Sequence, residues 1–210
     1  MRAIIEPRMG EKVLDVGNGG VREFFSPQTS LYVGVDSSIE MMKRGKGEGA
    51  EKVCGEATFL SFRKEVFDTV FYRSLLHHLA DRNPERTMER VKTALRESSL
   101  CLKKEGNVIV IEPCLTGFLE RVERILFFIP RFFSFLTKQS EVFLFSAETL
   151  IRSLHESGFR EIKVWTEDDG ERNPWEWIAP FLGLPFVKIP LRFNPTKRII
   201  LEGKKRAVGE

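Results

Sequence analysis

Asp15 is followed by Gly17, Gly19 and Gly20, three glycines in four positions at the end of an apolar run. Glycine removes the side chain that would hold a ligand away from the backbone, and its N–H groups can then be approached closely. More polar residues follow later apolar runs: Asp36 after LYVGV, Glu56 and Ala57 after KVC, then Arg73, His77 and His78 after TVFY, and Glu112 after NVIVI. Carboxylates can hold hydroxyls and amines. Imidazole titrates near neutrality and can take a proton. These residues suit a site that grips a polar ligand and moves one proton.

Two phosphate-binding patterns are excluded by spacing. A dinucleotide fingerprint, G-x-G-x-x-G, that began at Gly17 would need glycine where Arg22 stands. A phosphate-cradling loop needs G-K-S or G-K-T, and neither occurs. A nucleoside conjugate without phosphate, such as S-adenosylmethionine, asks only for room beside the backbone and a carboxylate near its amino group.

Such residues need elements to bring them together. Runs 12–16, 31–35, 52–54, 69–72 and 107–111 read as short strands, the last introduced by a Lys-Lys-Glu-Gly turn. The stretch 20–25 opens a helix. Ser37 caps a helix over 38–44, its oxygen accepting from the first turn. A long helix covers 84–102, with Met88, Val91, Ala94 and Leu95 at helical spacing. Residues 118–129 form an amphipathic helix, with Phe118, Leu119, Val122, Ile125, Leu126 and Ile129 on one face and Glu120, Arg121, Glu123 and Arg124 on the other. A further helix covers 146–157. Ser146 and Thr149 begin it like a capping box that lacks its acid, and Gly158 stops it. Strands 160–165 and 197–202 complete the pattern. Alternating strands and helices imply a parallel sheet covered on both faces, with ligands at its carboxyl edge. Asp68 reads as a structural acid. No linker divides the 210 residues, so a single domain spans 1–210.

With these elements in place, the chain resembles the class I SAM-dependent methyltransferases, in their small-molecule, methyltransferase-domain-11-like branch. The resemblance covers roughly residues 12–113 and rests on five motifs in order: VLDVGNGG, VGVDSS, CGEATFLSF, FDTVFYRSLLHHLAD and LKKEGNVIVIEP. It implies a Rossmann-like, doubly wound α/β fold whose seven-stranded sheet is mostly parallel, with the last strand antiparallel. It implies S-adenosyl-L-methionine as cofactor. Gly17, Asn18, Gly19 and Gly20 would then border the methionine part, and Asp15 would receive its ammonium directly or through water. Asp36, with Ser37, would take the ribose hydroxyls. Glu56 and Ala57 would meet the adenine, and Arg73 lies alongside. Two departures stand out: Val21 where the third motif glycine belongs, and Asn18 where a small residue is usual. The helices that ordinarily precede the first strand have no counterpart before Lys12.

The resemblance implies methyl transfer to a small acceptor by in-line displacement, in which positioning supplies much of the rate. His77 and His78 are the candidate catalytic bases, with Glu112 at the same edge. A regulatory protein that binds the cofactor or its product without turnover is the alternative. Nucleic acid is not expected as a partner, because no N-P-P-Y-type motif follows the fourth strand and a net charge of +3 is no dense basic stripe. No metal is expected. Cys54, Cys101 and Cys114 have no metal or redox spacing and read as reduced thiols in a cytoplasm. The longest apolar stretch, 125–136, is broken by Pro130 and Arg131 and falls short of the about 20 residues that cross a bilayer. Apolar segments at about 115–145 and 170–196 read as insertions after the fifth strand and between the last two. They suit a lid over a lipophilic acceptor, a peripheral membrane contact, or the interface of a homodimer.

Overall fold

The strands β1 (Lys12–Val16), β2 (Leu31–Asp36) and β4 (Phe67–Arg73) are rich in branched and aromatic residues, buried on both sides. Such strands belong at the centre of a covered parallel sheet. In the computed structural model, which describes residues 1–45, 49–125, 142–167 and 196–206, they occupy that place. The remaining strands are β3 (Glu51–Cys54), β5 (Leu102–Leu115), β6 (Phe159–Glu167) and β7 (Thr196–Lys205). Seven strands run in the order β3-β2-β1-β4-β5-β7-β6. Pairing is parallel from β3 to β5, and β7 lies antiparallel to both neighbours. This is the expected Rossmann-like sheet with its last strand reversed.

Alternation along the strands builds two cores. Leu14, Val16, Val70, Tyr72, Val108 and Val110 face α3 (Pro84–Cys101) and α5 (Ala147–Glu156), which contribute Val91, Ala94, Leu95, Leu150 and Leu154. Tyr72 donates its hydroxyl to the Ala94 carbonyl at 2.7 Å and so ties β4 to α3. Val13, Phe71, Ile109, Ile111 and Ile200 face the other way, against Ile5 of α1 (Arg2–Ile5), Met9 and Phe24. Asp68 is structural: it accepts from the Lys12 N–H at 2.9 Å and from the Lys103 ammonium at 2.8 Å.

Several local expectations are corrected. Residues 21–26 form no helix and leave the glycine loop without regular secondary structure. Their side chains find partners in different directions: Arg22 lies 4.7 Å over the rings of both Phe25 and Tyr32, Glu23 pairs with Arg73, and Phe24 stacks on Phe71. A segment this short, stopped by Pro27, gains too little as a helix to override those contacts. The helix α2 (Ile39–Arg44) is capped by Ser38, not Ser37, with the Met41 N–H donating to the Ser38 hydroxyl. The Lys-Lys-Glu-Gly turn is absorbed into β5, with Glu105 at φ +60°.

The largest correction concerns α4 (Gly117–Ile125). Its acidic side faces the protein: Glu120 is 3% exposed, while Phe118 and Ile125 are each 73% exposed. Glu120 accepts from the Arg124 guanidinium, from the Thr149 hydroxyl at 2.7 Å and from the Ser146 N–H at 2.8 Å. It thereby supplies, from another helix, the acid that the Ser146 cap lacks in sequence. Of the two apolar insertions, residues 126–141 and 168–195 lie outside the described residues.

Candidate functional site

The sheet order reverses direction between β1 and β4, and open α/β sheets bind ligands at that switch, beyond the carboxyl ends of the strands. The site therefore starts from the loop after β1. Gly17, Gly19 and Gly20 all have positive φ, +75°, +59° and +76°, which side chains rarely adopt. A Cβ on Gly17 would come within 2.5 Å of Leu75 Cδ1, so only glycine lets the Leu75 side chain pack against the loop. The Gly17 N–H donates to the Val35 carbonyl and fixes the loop on β2.

Asn18 turns inward. Its Oδ1 accepts from the Gly20 N–H at 2.9 Å, while its buried Nδ2 has no hydrogen-bond partner. The amide occupies the space beside Gly34, where any Cβ would clash with it. A glycine inside the strand LYVGVD thus makes room for Asn18, a signal the sequence held but did not explain. Asp36, at the tip of β2, accepts from the Gly19 N–H at 2.9 Å on one oxygen and from the Ser38 N–H at 2.8 Å on the other. Each carboxylate oxygen keeps a lone pair for a further donor. The Gly55 N–H donates to the Asp36 carbonyl, which brings Glu56 and Ala57 to the same edge, Glu56 exposed and Ala57 buried. Ser37 adjoins them, its carbonyl 3.8 Å from the Cys54 thiol.

Asp15 sits beneath the loop. It is buried, and it accepts the Tyr32 hydroxyl at 2.6 Å. Desolvation pushes its pKa up to about 7, opposed by the Tyr32 hydrogen bond and by Arg73, while Glu23 adds to the rise. Burial, and then the Asp15 charge, push the Tyr32 hydroxyl well above its usual value. Arg73 continues β4 past Tyr72, which is in register with Val16, so it stands beside Gly17. Its Nη1 lies 2.5 Å from Glu23 Oε2. Neither Tyr32 nor Glu23 was visible as a site residue in sequence. Glu23 emerges only in the structure, where residues 21–26 form no helix and Glu23 pairs with Arg73.

On the far side of the switch, β5 carries Glu112 toward its carboxyl end, and Glu112 is buried. Its Oε1 accepts from the Leu75 and Leu76 N–H groups at 2.8 and 2.7 Å, and its Oε2 lies 2.6 Å from His77 Nδ1. The His77 ring is buried, and the exposed His78 ring is 4.2 Å from it. Desolvation and the neighbouring His77 lower the His78 pKa to about 4, so His78 is neutral at physiological pH. The His77 carbonyl accepts from the Phe143 N–H at 2.9 Å. Cys114 is buried, and burial raises its thiol far above the usual range, so it is inert. Among the described residues, no group of three or more His, Cys, Asp or Glu side chains is placed to hold a metal ion, and no helix is long and apolar enough to cross a membrane.

This geometry agrees with what the chain is similar to. Residues 14–110, from β1 into β5, match the methyltransferase domain family model. The chain is 26% identical over 176 residues to a demethylmenaquinone methyltransferase of Corynebacterium kroppenstedtii, covering 77% of this chain and 73% of that protein. Its fold superposes on the YcgJ protein of Bacillus subtilis with a TM-score of 0.63 at 20% identity, covering 95% and 94% of the two chains. It also superposes on a Haemonchus contortus phosphoethanolamine N-methyltransferase, solved with phosphomonomethylethanolamine and S-adenosylhomocysteine, with a TM-score of 0.58 at 16% identity, covering 98% of this chain and 52% of that one. The fold and the carboxyl-edge site define a Rossmann-like methyltransferase architecture. Together these likenesses support a class I SAM-dependent methyltransferase whose cofactor is S-adenosyl-L-methionine.

Proposed function

We propose that this enzyme methylates a small lipophilic acceptor and that His77 takes the acceptor's proton. The His77–Glu112 contact of 2.6 Å is the observation that carries the catalytic part. Oε1 of Glu112 already accepts two backbone N–H groups, so the carboxylate acts as an acceptor toward Nδ1 as well. That arrangement puts the imidazole proton on Nδ1 and leaves Nε2 with a free lone pair. His78, neutral beside it, supplies no competing cation.

The loop suits the cofactor. Its three positive-φ glycines make the tight turn after β1, and Asn18 carries a buried amide nitrogen without a hydrogen-bond partner. In this reading Asp36, with Ser37, holds the ribose hydroxyls, Glu56 and Ala57 border the adenine, and Gly17, Asn18, Gly19 and Gly20 border the methionine part. Asp15 and Arg73 act from beneath and beside the loop. The bound cofactor supplies a methyl group on a good leaving group. The chain's own work is to orient the acceptor, exclude water and remove one proton.

A lipophilic acceptor is supported by α4, which turns Phe118 and Ile125 outward while burying Glu120. The name of the Corynebacterium relative points the same way. The same outward face suits peripheral contact with a membrane. Labelled S-adenosylmethionine incubated with the enzyme and with separated lipid and aqueous cell fractions tests the acceptor class. Label in the lipid fraction, with co-sedimentation on liposomes, is expected. Label confined to a hydrophilic product, with no liposome binding, overturns the lipophilic reading.

A further inference from the structure

We infer that Glu23 and Arg73 form an ion pair that reads the amino-acid end of the cofactor as a zwitterion, a task the sequence pattern alone would give to Asp15. This inference rests on the cofactor reading above and divides its labour. Asp15 is buried and its Oδ2 is engaged by Tyr32 at 2.6 Å, so its carboxylate is screened from the loop's outer side. Arg73 and Glu23 are only half-buried, with side chains 36% and 27% exposed. Arg73 is placed beside Gly17 by the strand register.

The charges are arranged for a dipolar partner. Glu23 Oε2 meets Arg73 Nη1 at 2.5 Å, which uses one of the five guanidinium donors. The remaining donors can take a carboxylate in the fork geometry that arginine favours. The neighbouring glutamate offers its charge to an ammonium. A zwitterion laid antiparallel to the pair satisfies both ends without breaking it. The irregular run 21–26 after the glycine loop is what brings Glu23 to this edge.

The test compares calorimetric binding of S-adenosylmethionine with its decarboxylated form, which keeps the sulfonium and ammonium but lacks the carboxylate. The full chain should bind the decarboxylated form about 10- to 100-fold more weakly, the effect of one charge-assisted contact. Arg73→Met should bind both forms alike, near the weaker affinity, and Arg73→Lys should restore part of the discrimination. Glu23→Gln should weaken both forms together, because both carry the ammonium. Equal binding of the two forms by the unsubstituted protein overturns the inference, and that comparison needs no variant to fold. Full discrimination retained by Arg73→Met also overturns it. Failure of the unsubstituted protein to bind either form overturns the cofactor reading itself, and this inference with it.

Discussion

His77 Nδ1 and Glu112 Oε2 lie 2.6 Å apart, joining the turn after β4 to the carboxyl-terminal part of β5. The residues are 35 positions apart in sequence, and only the parallel pairing of β4 with β5 brings them together. Because the same carboxylate holds the Leu75 and Leu76 N–H groups, the turn that carries His77 and the tautomer of its ring are set by one side chain. Glu112→Gln should therefore lower kcat and leave cofactor affinity within about twofold. His77→Gln should lower kcat by about 100-fold or more, the usual scale of a lost general base. His78→Gln should matter far less. Turnover and calorimetric affinity measured separately on the three variants check this, and full activity in His77→Gln would leave positioning alone to carry the reaction.

Asp36 fastens the glycine loop and the start of α2 through its two oxygens, at 2.9 Å to Gly19 and 2.8 Å to Ser38. Asp36→Ala should weaken S-adenosylmethionine binding by about 10- to 100-fold, the effect of losing a hydrogen-bonded carboxylate. Calorimetry decides, and unchanged affinity would remove Asp36 from the site. A smaller change makes the same point about the loop: Gly34→Ala forces a methyl group onto the Asn18 amide. It should reduce cofactor affinity while the far side of the sheet, around β6 and β7, stays folded. Hydrogen exchange of those strands separates the two effects.

Much of this was legible in the sequence because strands and glycines report local constraints. The runs KVLDV, LYVGVD and FDTVFYR became the central strands, and the spacing of acids after them placed Asp36 and Glu112 at one edge. What was not legible depends on contacts distant in sequence. Residues 20–25 were read as opening a helix because their local pattern cannot show that Arg22, Glu23 and Phe24 each have partners elsewhere. The faces of α4 were read correctly as two stripes. Which stripe turns inward was decided by Ser146 and Thr149, whose donors take Glu120 as their acceptor.

Glu120 has several donors to satisfy, and its loss should be felt across both helices. Glu120→Ala strands the buried Ser146 N–H and the Thr149 hydroxyl and frees Arg124 from its partner. An unsatisfied buried donor costs about 1–3 kcal/mol, so the expected loss of stability is roughly 2–4 kcal/mol. Chemical denaturation measures it. Glu120→Gln keeps an acceptor and should cost less. A change under about 0.5 kcal/mol in Glu120→Ala would mean that water replaces the carboxylate, as at an ordinary surface site.

Glu123, one residue before Arg124 on the same helix, gives a prediction of the opposite sign. Its Oε1 accepts from the Leu144 N–H at 3.1 Å, but its buried Oε2 has no hydrogen-bond partner. Burial pushes its pKa up to about 7, with the Glu120 charge adding to the rise, and the Leu144 hydrogen bond and Arg124 opposing it. An acid whose pKa is higher in the folded state favours folding only while it is protonated there. Stability should therefore decline as pH rises from the ordinary carboxylate value of 4.5 toward 7, and the full penalty should be present above that. Glu123→Gln, which stays neutral and keeps an acceptor for Leu144, should match the unsubstituted protein near pH 4. Above pH 7 it should be more stable, by on the order of 1–3 kcal/mol. Thermal melts of both proteins across this range, with the difference plotted against pH, provide the measurement. A difference that stays flat from pH 4 to pH 8 would show that Glu123 ionises freely in the fold and that its second oxygen reaches water.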